Sequence, residues 1–409
     1  MNAIMKISKI GISCLLIGII FFGCLRELST PSAQLTLVAI LPEGYENTDM
    51  STVRVRIVSS GGHDEPKNLD VEGMVAFNLR PGLYRAIISG RVFCDSLGTL
   101  NVSGGVSEFL LTENGIVEQR GILQEPIRTA NLNISVPSPL IIREIYFGGS
   151  QGITGGNYIQ DAYIEIYNNS SRTVYLDSLF VATVAPANST ASDPWRGLRE
   201  TEHLPLFSFI FMVPGDGTTH PLLPGEGAVF ARNALDHSRV ATSGLRLDRA
   251  HFALYHPTFT QQNPPEPGVV TMELMGTAQG SAVAWSVGSP AFVIYRVPDW
   301  AEYRRNHTTW RRYAPGTSSG ILYWHIDKDW ILDGVEIITR PTAPTVNKRL
   351  PLSVDISYTW LRRGQYLGFA VRRKVEAIMP DGRIIYQDTN NSDEDFETDV
   401  IPNPALRPF

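Results

Sequence analysis

Residues 323–330, with the sequence YWHIDKDW, contain a set of side chains that could bind a metal ion. If this segment is a β-strand, His325, Asp327 and Asp329 lie on one face, because alternate residues of a strand point the same way. Imidazole and carboxylate groups are common ligands for cations. The spacing therefore predicts a candidate metal site, although no clear fourth ligand lies nearby. Ordinary surface charges on a half-exposed strand are the alternative interpretation.

A second motif, at residues 148–152, matches the G-x-S-x-G pattern that exposes a serine nucleophile in many hydrolases. In those enzymes the serine lies on a sharp turn between a strand and a helix. The residues that follow, ITGGN, are a poor helix start, so a glycine-rich connection between strands is the better interpretation. No catalytic residues and no cofactor are predicted, and we expect a protein that is not an enzyme.

Residues 388–395, with the sequence DTNNSDED, place side-chain oxygens at alternate positions, as a calcium-binding loop does. The segment lacks the central glycine and the final glutamate spacing of such a loop. A solvated acidic turn is therefore the favoured interpretation, with calcium binding as the alternative.

Most of the tryptophans lie close together in the sequence. Six of the seven fall between residues 285 and 360, interleaved with pairs of arginines. Aromatic rings beside arginines stack on planar ligands or sugars, or form cation–π pairs within the protein. We expect most of these rings in the core, with Trp300 and Trp310 exposed as ligand-facing aromatics. The segment 300–310 is predicted to be a short helix with Asp299 as its N-cap.

Composition predicts an all-β protein that does not bind nucleic acid. The 409 residues include 35 glycines and 27 prolines, and few stretches have the periodicity of a long amphipathic helix. Many turns and period-two alternation favour β-sandwich domains with long loop insertions and few short helices. The net charge is −6, which offers no general attraction for nucleic acid.

The first residues have the pattern of a cleaved targeting signal. Lys6 and Lys9 precede an uncharged apolar run at residues 10–22, which Gly23 and Cys24 follow. The segment FFGC at 21–24 resembles a bacterial lipobox, which implies cleavage before Cys24 and lipid attachment to its thiol. We therefore interpret residues 1–23 as a signal peptide and 24–33 as a tether anchored in the membrane. An ordinary cleaved signal peptide is the alternative.

Cysteine usage agrees with this interpretation. Of the three cysteines, Cys14 would leave with the signal and Cys24 would carry lipid, so Cys94 remains alone. No disulfide is then available in the mature chain, and its fold depends on its core. Cys94 is predicted to be buried between Phe93 and Leu97.

We divide the remaining chain into two domains. Residues 34–128 are predicted to form the first domain and 129–139 a linker that consists of a strand closed by two prolines. Residues 140–400 are predicted to form the second domain and 401–409 a C-terminal tail. In the first domain the segment VAFNLRPGLY at 75–84 resembles the hairpin of prealbumin-like or carboxypeptidase-regulatory-like β-sandwiches. The resemblance implies a stalk beside a larger binding domain.

The second domain opens with three predicted strands, at residues 141–147, 162–167 and 173–179. The sequences IREIY at 142–146, YIEIYNN at 163–169 and YLD at 175–177, with LPGEGAVF at 223–230, resemble a lamin-tail domain, an Ig-like β-sandwich. The usual tryptophan is replaced near Phe180 and long insertions separate the elements, so a bare lamin-tail domain is excluded. Glu165, in the second strand, is expected to be a structural polar group bonded to backbone or arginine.

With its lipobox and paired β domains, the chain resembles a Bacteroidota-type outer-membrane lipoprotein family of unknown function. That resemblance implies a lipid-anchored protein at the surface or periplasmic face of the outer membrane, with a TonB-dependent transporter as a candidate partner. In such bacteria a D-[ST]-aliphatic motif can be O-glycosylated, and Ser96 and Ser178 occupy such motifs. Both serines are therefore candidate glycosylation sites.

The function predicted from the sequence is a non-enzymatic binding or accessory role at the outer membrane. A metal-dependent hydrolase using His325, Asp327 and Asp329 is one alternative. A structural or adhesive surface protein is the other. The sequence leaves the ligand, the membrane face and the oligomeric state open.

Overall fold

A computed structural model describes residues 32–59, 63–115, 117–119, 121–199, 203–277, 282–341 and 347–408, without the side chains of Leu123, Ser208, Thr277, His307 and Thr308. Within these ranges the chain is built mainly of strands with a few short helices, which confirms the all-β prediction. None of the helices in the same ranges is long and apolar enough to span a bilayer. The predicted signal peptide, Cys24 and nearly all of the tether lie outside the described residues.

The N-terminal region forms a curved sheet around its own core. Its strands, in their order across the sheet, are Asp64–Asn68, Arg54–Ser59, Gly82–Cys94, Gly98–Leu111, Ile127–Ser135, Ala33–Ile40 and Met74–Leu79. Val117–Gln119 also pairs with the fourth strand, and Ile122–Gln124 pairs with Val117–Gln119. Alternate residues of strand Ala33–Ile40 face the core, so Leu35, Leu37 and Ala39 are buried while their neighbours are more exposed. Phe77 and Phe109 are fully buried in this core.

Strand Ile127–Ser135 holds the two halves of this sheet together. It runs parallel to Ala33–Ile40 near its start and antiparallel to Gly98–Leu111 near its end. The strand predicted within residues 129–139 is present, but residues 129–135 belong to the N-terminal sheet and not to a linker, because their backbone is hydrogen-bonded inside that sheet. The chain passes from the N-terminal region to the C-terminal region through residues 136–139.

The predicted hairpin at residues 75–84 has a different pairing in the structure. Met74–Leu79 pairs with Ala33–Ile40, whereas Gly82–Cys94 pairs with Arg54–Ser59 and with the strand after it. The turn therefore carries the chain from one half of the sheet to the other. The Tyr84 hydroxyl donates to the Arg80 carbonyl at 2.9 Å, which fixes the corner as a tyrosine does in other sandwiches.

The C-terminal region is a sandwich of two sheets. The tail-side sheet contains, in order, Val270–Thr271, Phe252–Ala253, Gly227–Ala231, Tyr163–Asn168, Leu140–Tyr146, Ala370–Arg373 and Phe396–Val400. The helix-side sheet contains Arg311–Arg312, Tyr323–Ile326, Leu204–Met212, Phe180–Val184, Ala291–Tyr295 and Ile331–Glu336, with Glu273–Thr277 paired to the third. Two-strand ladders join Ser150–Gln151 to Asn157–Tyr158, Val174–Tyr175 to Pro221–Leu222 and Val375–Ile378 to Ile384–Tyr386.

Both sheets are covered on both faces. Apolar side chains such as Ile164, Phe230 and Phe292 fill the space between them. The helices Trp300–Arg305 and His307–Trp310 pack on the outside of the helix-side sheet. A strand that is covered on both faces does not alternate between apolar and polar residues. Every residue of strand Leu140–Tyr146 is buried.

The predicted C-terminal tail lies as an extended segment on the outer face of the tail-side sheet. The Asn403 N–H donates to Glu144 Oε1 at 2.8 Å, and the Ala405 N–H donates to Glu165 Oε2 at 3.0 Å. The Arg407 N–H donates to a backbone carbonyl at 3.1 Å. Buried carboxylates of the sheet therefore accept backbone donors of the tail, and the expected structural role of Glu165 agrees with this arrangement.

The acidic segment 388–395 joins the two regions. Asn391 Nδ2 donates to Ser89 Oγ at 2.7 Å, and Arg56 of the N-terminal sheet pairs with Asp393. Helix Ser392–Asp395 lies within this segment. Protein donors therefore satisfy much of the acidic segment, which disfavours the calcium-loop alternative.

Candidate binding surface

The predicted metal site does not assemble. His325 is 4% exposed, and its Nδ1 lies 3.1 Å from the Tyr323 carbonyl. Burial lowers the pKa of His325 to about 4, so the ring is neutral. Strand Tyr323–Ile326 ends before Asp327, whose side chain accepts the Asp329 N–H at 3.0 Å and begins a 3₁₀ turn.

Because the strand ends there, the prediction that His325, Asp327 and Asp329 share one strand face is wrong. Local hydrogen bonding between an aspartate and the following backbone competes with strand formation. Within the described part of the chain, no group of three or more His, Cys, Asp or Glu side chains is arranged to hold a metal ion.

The serine of the G-x-S-x-G motif is a buried structural group. Ser150 lies in a short strand that pairs with Asn157–Tyr158, and no helix follows it. Its hydroxyl donates to Asp161 Oδ2 at 3.1 Å, which also accepts hydroxyls from Tyr146 and Ser243. The motif is therefore a connection between strands, as the glycine-rich sequence favoured.

Trp300 and Trp310 are half-buried, so the prediction that they are exposed is wrong. The ring centroids of Trp300 and Phe180 are 5.2 Å apart, and those of Trp310 and Trp330 are 4.9 Å apart. Both rings extend the core on the outer face of the helix-side sheet. Their remaining exposed surface is what a ligand or partner could contact.

The short helix that carries Trp300 is held by a cap at its N-terminus and by a buried tyrosine. The Asp299 side chain accepts the Glu302 N–H at 2.8 Å, which confirms the predicted N-cap. Tyr303 is buried, and its hydroxyl donates to the His325 carbonyl at 2.8 Å. This anchoring directs the arginines of the helix outward.

Two adjoining clefts share Trp300 and Arg304. One cleft, of about 370 Å³, is also lined by Tyr255, His256 and Glu273. The other, of about 530 Å³, continues along the helix past Arg305. We call the set Tyr255, His256, Glu273, Trp300, Arg304 and Arg305 the Trp300 surface.

The Trp300 surface combines an aromatic ring with positive charge. Arg304 and Arg305 are exposed, and Arg312 is exposed on the strand that follows the second helix. Glu273 supplies a negative charge at one side. Trp and Arg are enriched among the residues that contribute most to protein interfaces. On a chain of net charge −6, this arrangement suits an acidic partner surface.

Sequence reasoning identified the tryptophan and the arginines but missed Tyr255, His256 and Glu273. These residues come from a loop and a strand that are distant in sequence from residue 300, and tertiary packing brings them to the same cleft. The interleaving of tryptophan with arginine was the only sequence signal for this surface.

The two candidate glycosylation serines are both exposed. Ser96 lies in the turn between two long strands, and its Oγ is 3.3 Å from Cys94 Sγ. Cys94 is half-buried and Phe93 is 67% exposed, so the prediction of a buried Cys94 is wrong. The strand ends at Cys94 and its apolar neighbours point to solvent, because the hairpin extends past the core at this end.

A strand was predicted at residues 173–179, but the strand in the structure ends at Tyr175, and Ser178 lies in the turn that follows. The Asp177 side chain accepts N–H groups from Gly217, Thr219 and His220 at 2.9–3.1 Å. Burial raises the pKa of Asp177, but the backbone donors outweigh this effect and lower the pKa to about 2. Asp177 thus has a structural role whether or not Ser178 is modified.

Comparisons with known proteins agree with a protein of unknown function. Residues 223–403 match the model of a family described as "Protein of unknown function (DUF4876)". No curated protein matches the chain. The matched residues lie within the C-terminal region, which contains the Trp300 surface.

Two solved structures resemble the chain to different degrees. A DUF4876 family protein from Bacteroides thetaiotaomicron is 23% identical, with a TM-score of 0.58 over 91% of this chain and 96% of that chain. A "putative adhesin" from Bacteroides ovatus is 10% identical, with a TM-score of 0.19 over 79% of this chain and 91% of that chain, which supports no inference. The chain therefore shares its fold with a DUF4876 family protein, and residues 223–403 resemble that family in sequence.

Proposed function

We propose that this protein is an outer-membrane lipoprotein, anchored through lipid on Cys24, with a binding or accessory role and no catalytic step. The observation that carries the proposal is the Trp300 surface, where a half-buried tryptophan and two exposed arginines project from an anchored helix. The lipobox-like segment at 21–24 supports the anchor.

The partner proposed for this surface is the acidic face of another outer-membrane protein, with a TonB-dependent transporter as the candidate. A tryptophan held by its packing against Phe180 loses little conformational entropy when a partner covers it. Arg304 and Arg305 would steer an acidic surface toward the ring and then contact it. Acylation of Cys24 would keep both proteins in one membrane and raise their effective concentration.

Affinity purification of the detergent-solubilised lipoprotein tests this proposal. We expect the wild-type protein to recover a membrane partner whose acidic surface is required for capture. Arg304→Glu combined with Arg305→Glu should abolish recovery, because both side chains are exposed and the change reverses their charge. The matched control reverses two other exposed arginines, Arg239→Glu with Arg362→Glu, and should retain the partner.

Equal recovery by both charge-reversed variants would contradict the role of the Trp300 surface. Self-association of the purified wild-type protein without any partner would instead support the structural or adhesive alternative. Binding of stoichiometric metal together with hydrolytic activity would support the hydrolase alternative.

A further inference from the structure

A cleft of about 470 Å³ opens on the outer face of the tail-side sheet. Arg143 and Glu165 line it from the sheet, and Tyr167 and Tyr386 contribute aromatic rings. The turn at residues 381–383 and Ala405 of the C-terminal segment form its rim. The cleft is thus assembled from the sheet, a hairpin and the tail.

Two polar atoms of the cleft are buried without a partner. Glu165 Oε2 accepts from Arg143 Nη2 at 2.6 Å and from the Ala405 N–H, but Glu165 Oε1 has no hydrogen bond although the side chain is only 1% exposed. Arg143 Nε is a buried donor that also has no partner. The structure therefore leaves one acceptor and one donor unsatisfied in the paired side chains Glu165 and Arg143, and such buried groups are rare in proteins.

Two glycines pack closely against groups that line the cleft. A Cβ at Gly227 would come within 2.1 Å of Glu165 Oε1. A Cβ at Gly225, whose φ is +81°, would come within 2.8 Å of the Arg383 side chain. Any larger residue at either position would displace a group that lines the cleft.

The charges of the cleft nearly cancel. Arg143 lies against Glu165, and Arg383 Nε lies 3.7 Å from Asp381 at the rim. Burial raises the pKa of Glu165 to about 7, with Arg143 acting in the opposite direction. Above that pKa the two arginines balance the two carboxylates, and an ionic ligand finds little net attraction in this cleft.

These features match a neutral ligand with hydroxyl groups. Ligand hydroxyl groups can donate to Glu165 Oε1 and accept from Arg143 Nε. The rings of Tyr167 and Tyr386, 4.8 Å apart and perpendicular, pack on each other in the wall of the cleft, and each is 5% exposed, which leaves a small apolar surface for the carbon atoms of a sugar ring. We infer that this cleft is a binding site for a neutral saccharide, separate from the Trp300 surface and independent of the function proposed for it.

Saturation-transfer NMR on the detergent-solubilised lipoprotein tests the inference with defined probes. The probes are D-glucose, D-mannose, D-galactose and N-acetyl-D-glucosamine, with inorganic phosphate and L-lysine as charged comparisons. We expect saturable binding of at least one neutral sugar and no binding of the charged probes. Glu165→Gln should weaken that binding by about tenfold or more, the effect of losing one hydrogen bond.

A second variant covers the case in which Glu165→Gln fails to fold. Asp381→Trp changes an exposed rim residue and should block the cleft without altering its floor. Arg304→Glu with Arg305→Glu is the matched control and should leave sugar binding unchanged. The inference is overturned if no neutral sugar binds, if phosphate or lysine binds at this cleft instead, or if binding survives Asp381→Trp.

Discussion

Replacing Arg373 with methionine should destabilise the C-terminal sandwich strongly. Arg373 lies on the tail-side sheet and is 3% exposed. Its Nη2 donates to both oxygens of Asp333, on the helix-side sheet, at 2.9 Å. Its Nη1 lies 3.1 Å from Asp388 Oδ1 and 3.2 Å from Asp395 Oδ2. One guanidinium therefore links both sheets to the segment that contacts the N-terminal region.

The size of the effect follows from what the substitution leaves behind. Methionine retains much of the apolar volume, but three buried carboxyl groups lose their cation. Breaking a buried ion pair by removing one partner costs about 3–5 kcal/mol. For a region of this size that loss corresponds to a decrease in Tm of roughly 6–20 °C.

The loss should depend on pH. Burial raises the pKa of Asp333 to about 7, Arg373 opposes that shift and Asp388 adds to it, while burial also raises the pKa of Asp395. A carboxyl whose pKa is higher in the folded state stabilises the fold below its unfolded pKa, and this stabilisation is lost as pH rises through the folded pKa. Without the guanidinium, ionised carboxylates destabilise the folded state more strongly. The loss of unfolding free energy in Arg373→Met should therefore be larger at pH 8 than at pH 5.

Urea unfolding followed by circular dichroism at both pH values measures this deficit. Arg362→Met is the matched control, because Arg362 is exposed, and its free energy of unfolding should change by less than about 0.5 kcal/mol. A deficit below about 1 kcal/mol for Arg373→Met, or a larger deficit at pH 5 than at pH 8, would refute the assignment of this cluster as a clamp between the sheets.

Four further outcomes are expected. Cys24→Ala should release the protein from membranes and abolish labelling by a fatty-acid probe; continued membrane retention with labelling would contradict the anchor. Half-buried Cys94 should react with a thiol reagent in the folded protein, and reaction only after unfolding would contradict its position. Asp177→Ala should cost about 1–3 kcal/mol in unfolding free energy, because three N–H groups lose their acceptor; in the wild type this stabilisation should be lost as pH falls from about 4 toward 2, since the folded pKa is the lower one. Elemental analysis should find no stoichiometric metal that depends on His325, because that ring is buried against a backbone carbonyl.

The strand content was predictable from the sequence because period-two alternation and turn residues are local signals. Strand Ala33–Ile40 is an example, with its alternating buried residues. Pairing was not predictable to the same degree. The turn before Tyr84 looks like a hairpin, yet the strands it joins pair with different neighbours. Residues 129–135 look like a strand, but their place inside the first sheet was not predictable because distant segments supply the partners on both sides.

The candidate sites show the same distinction between local and distant information. The Asp299 cap was predictable because the capping side chain and the N–H group that donates to it are three residues apart. Asp327 was misread because its side chain caps a 3₁₀ turn and so ends the strand. The Trp300 clefts and the Glu165 cleft depend on loops packed beside strands, which single-sequence patterns do not reveal.

Site-specific photo-crosslinking at position 304 in the membrane-anchored protein tests the central claim most directly. A photoreactive amino acid replaces Arg304 in one variant and exposed Arg362 in the control variant. We predict a discrete cross-linked adduct with an outer-membrane protein at position 304 and none at position 362. Equal adducts at both positions, or no adduct at position 304 while the protein remains anchored, would contradict the Trp300 surface as the docking site.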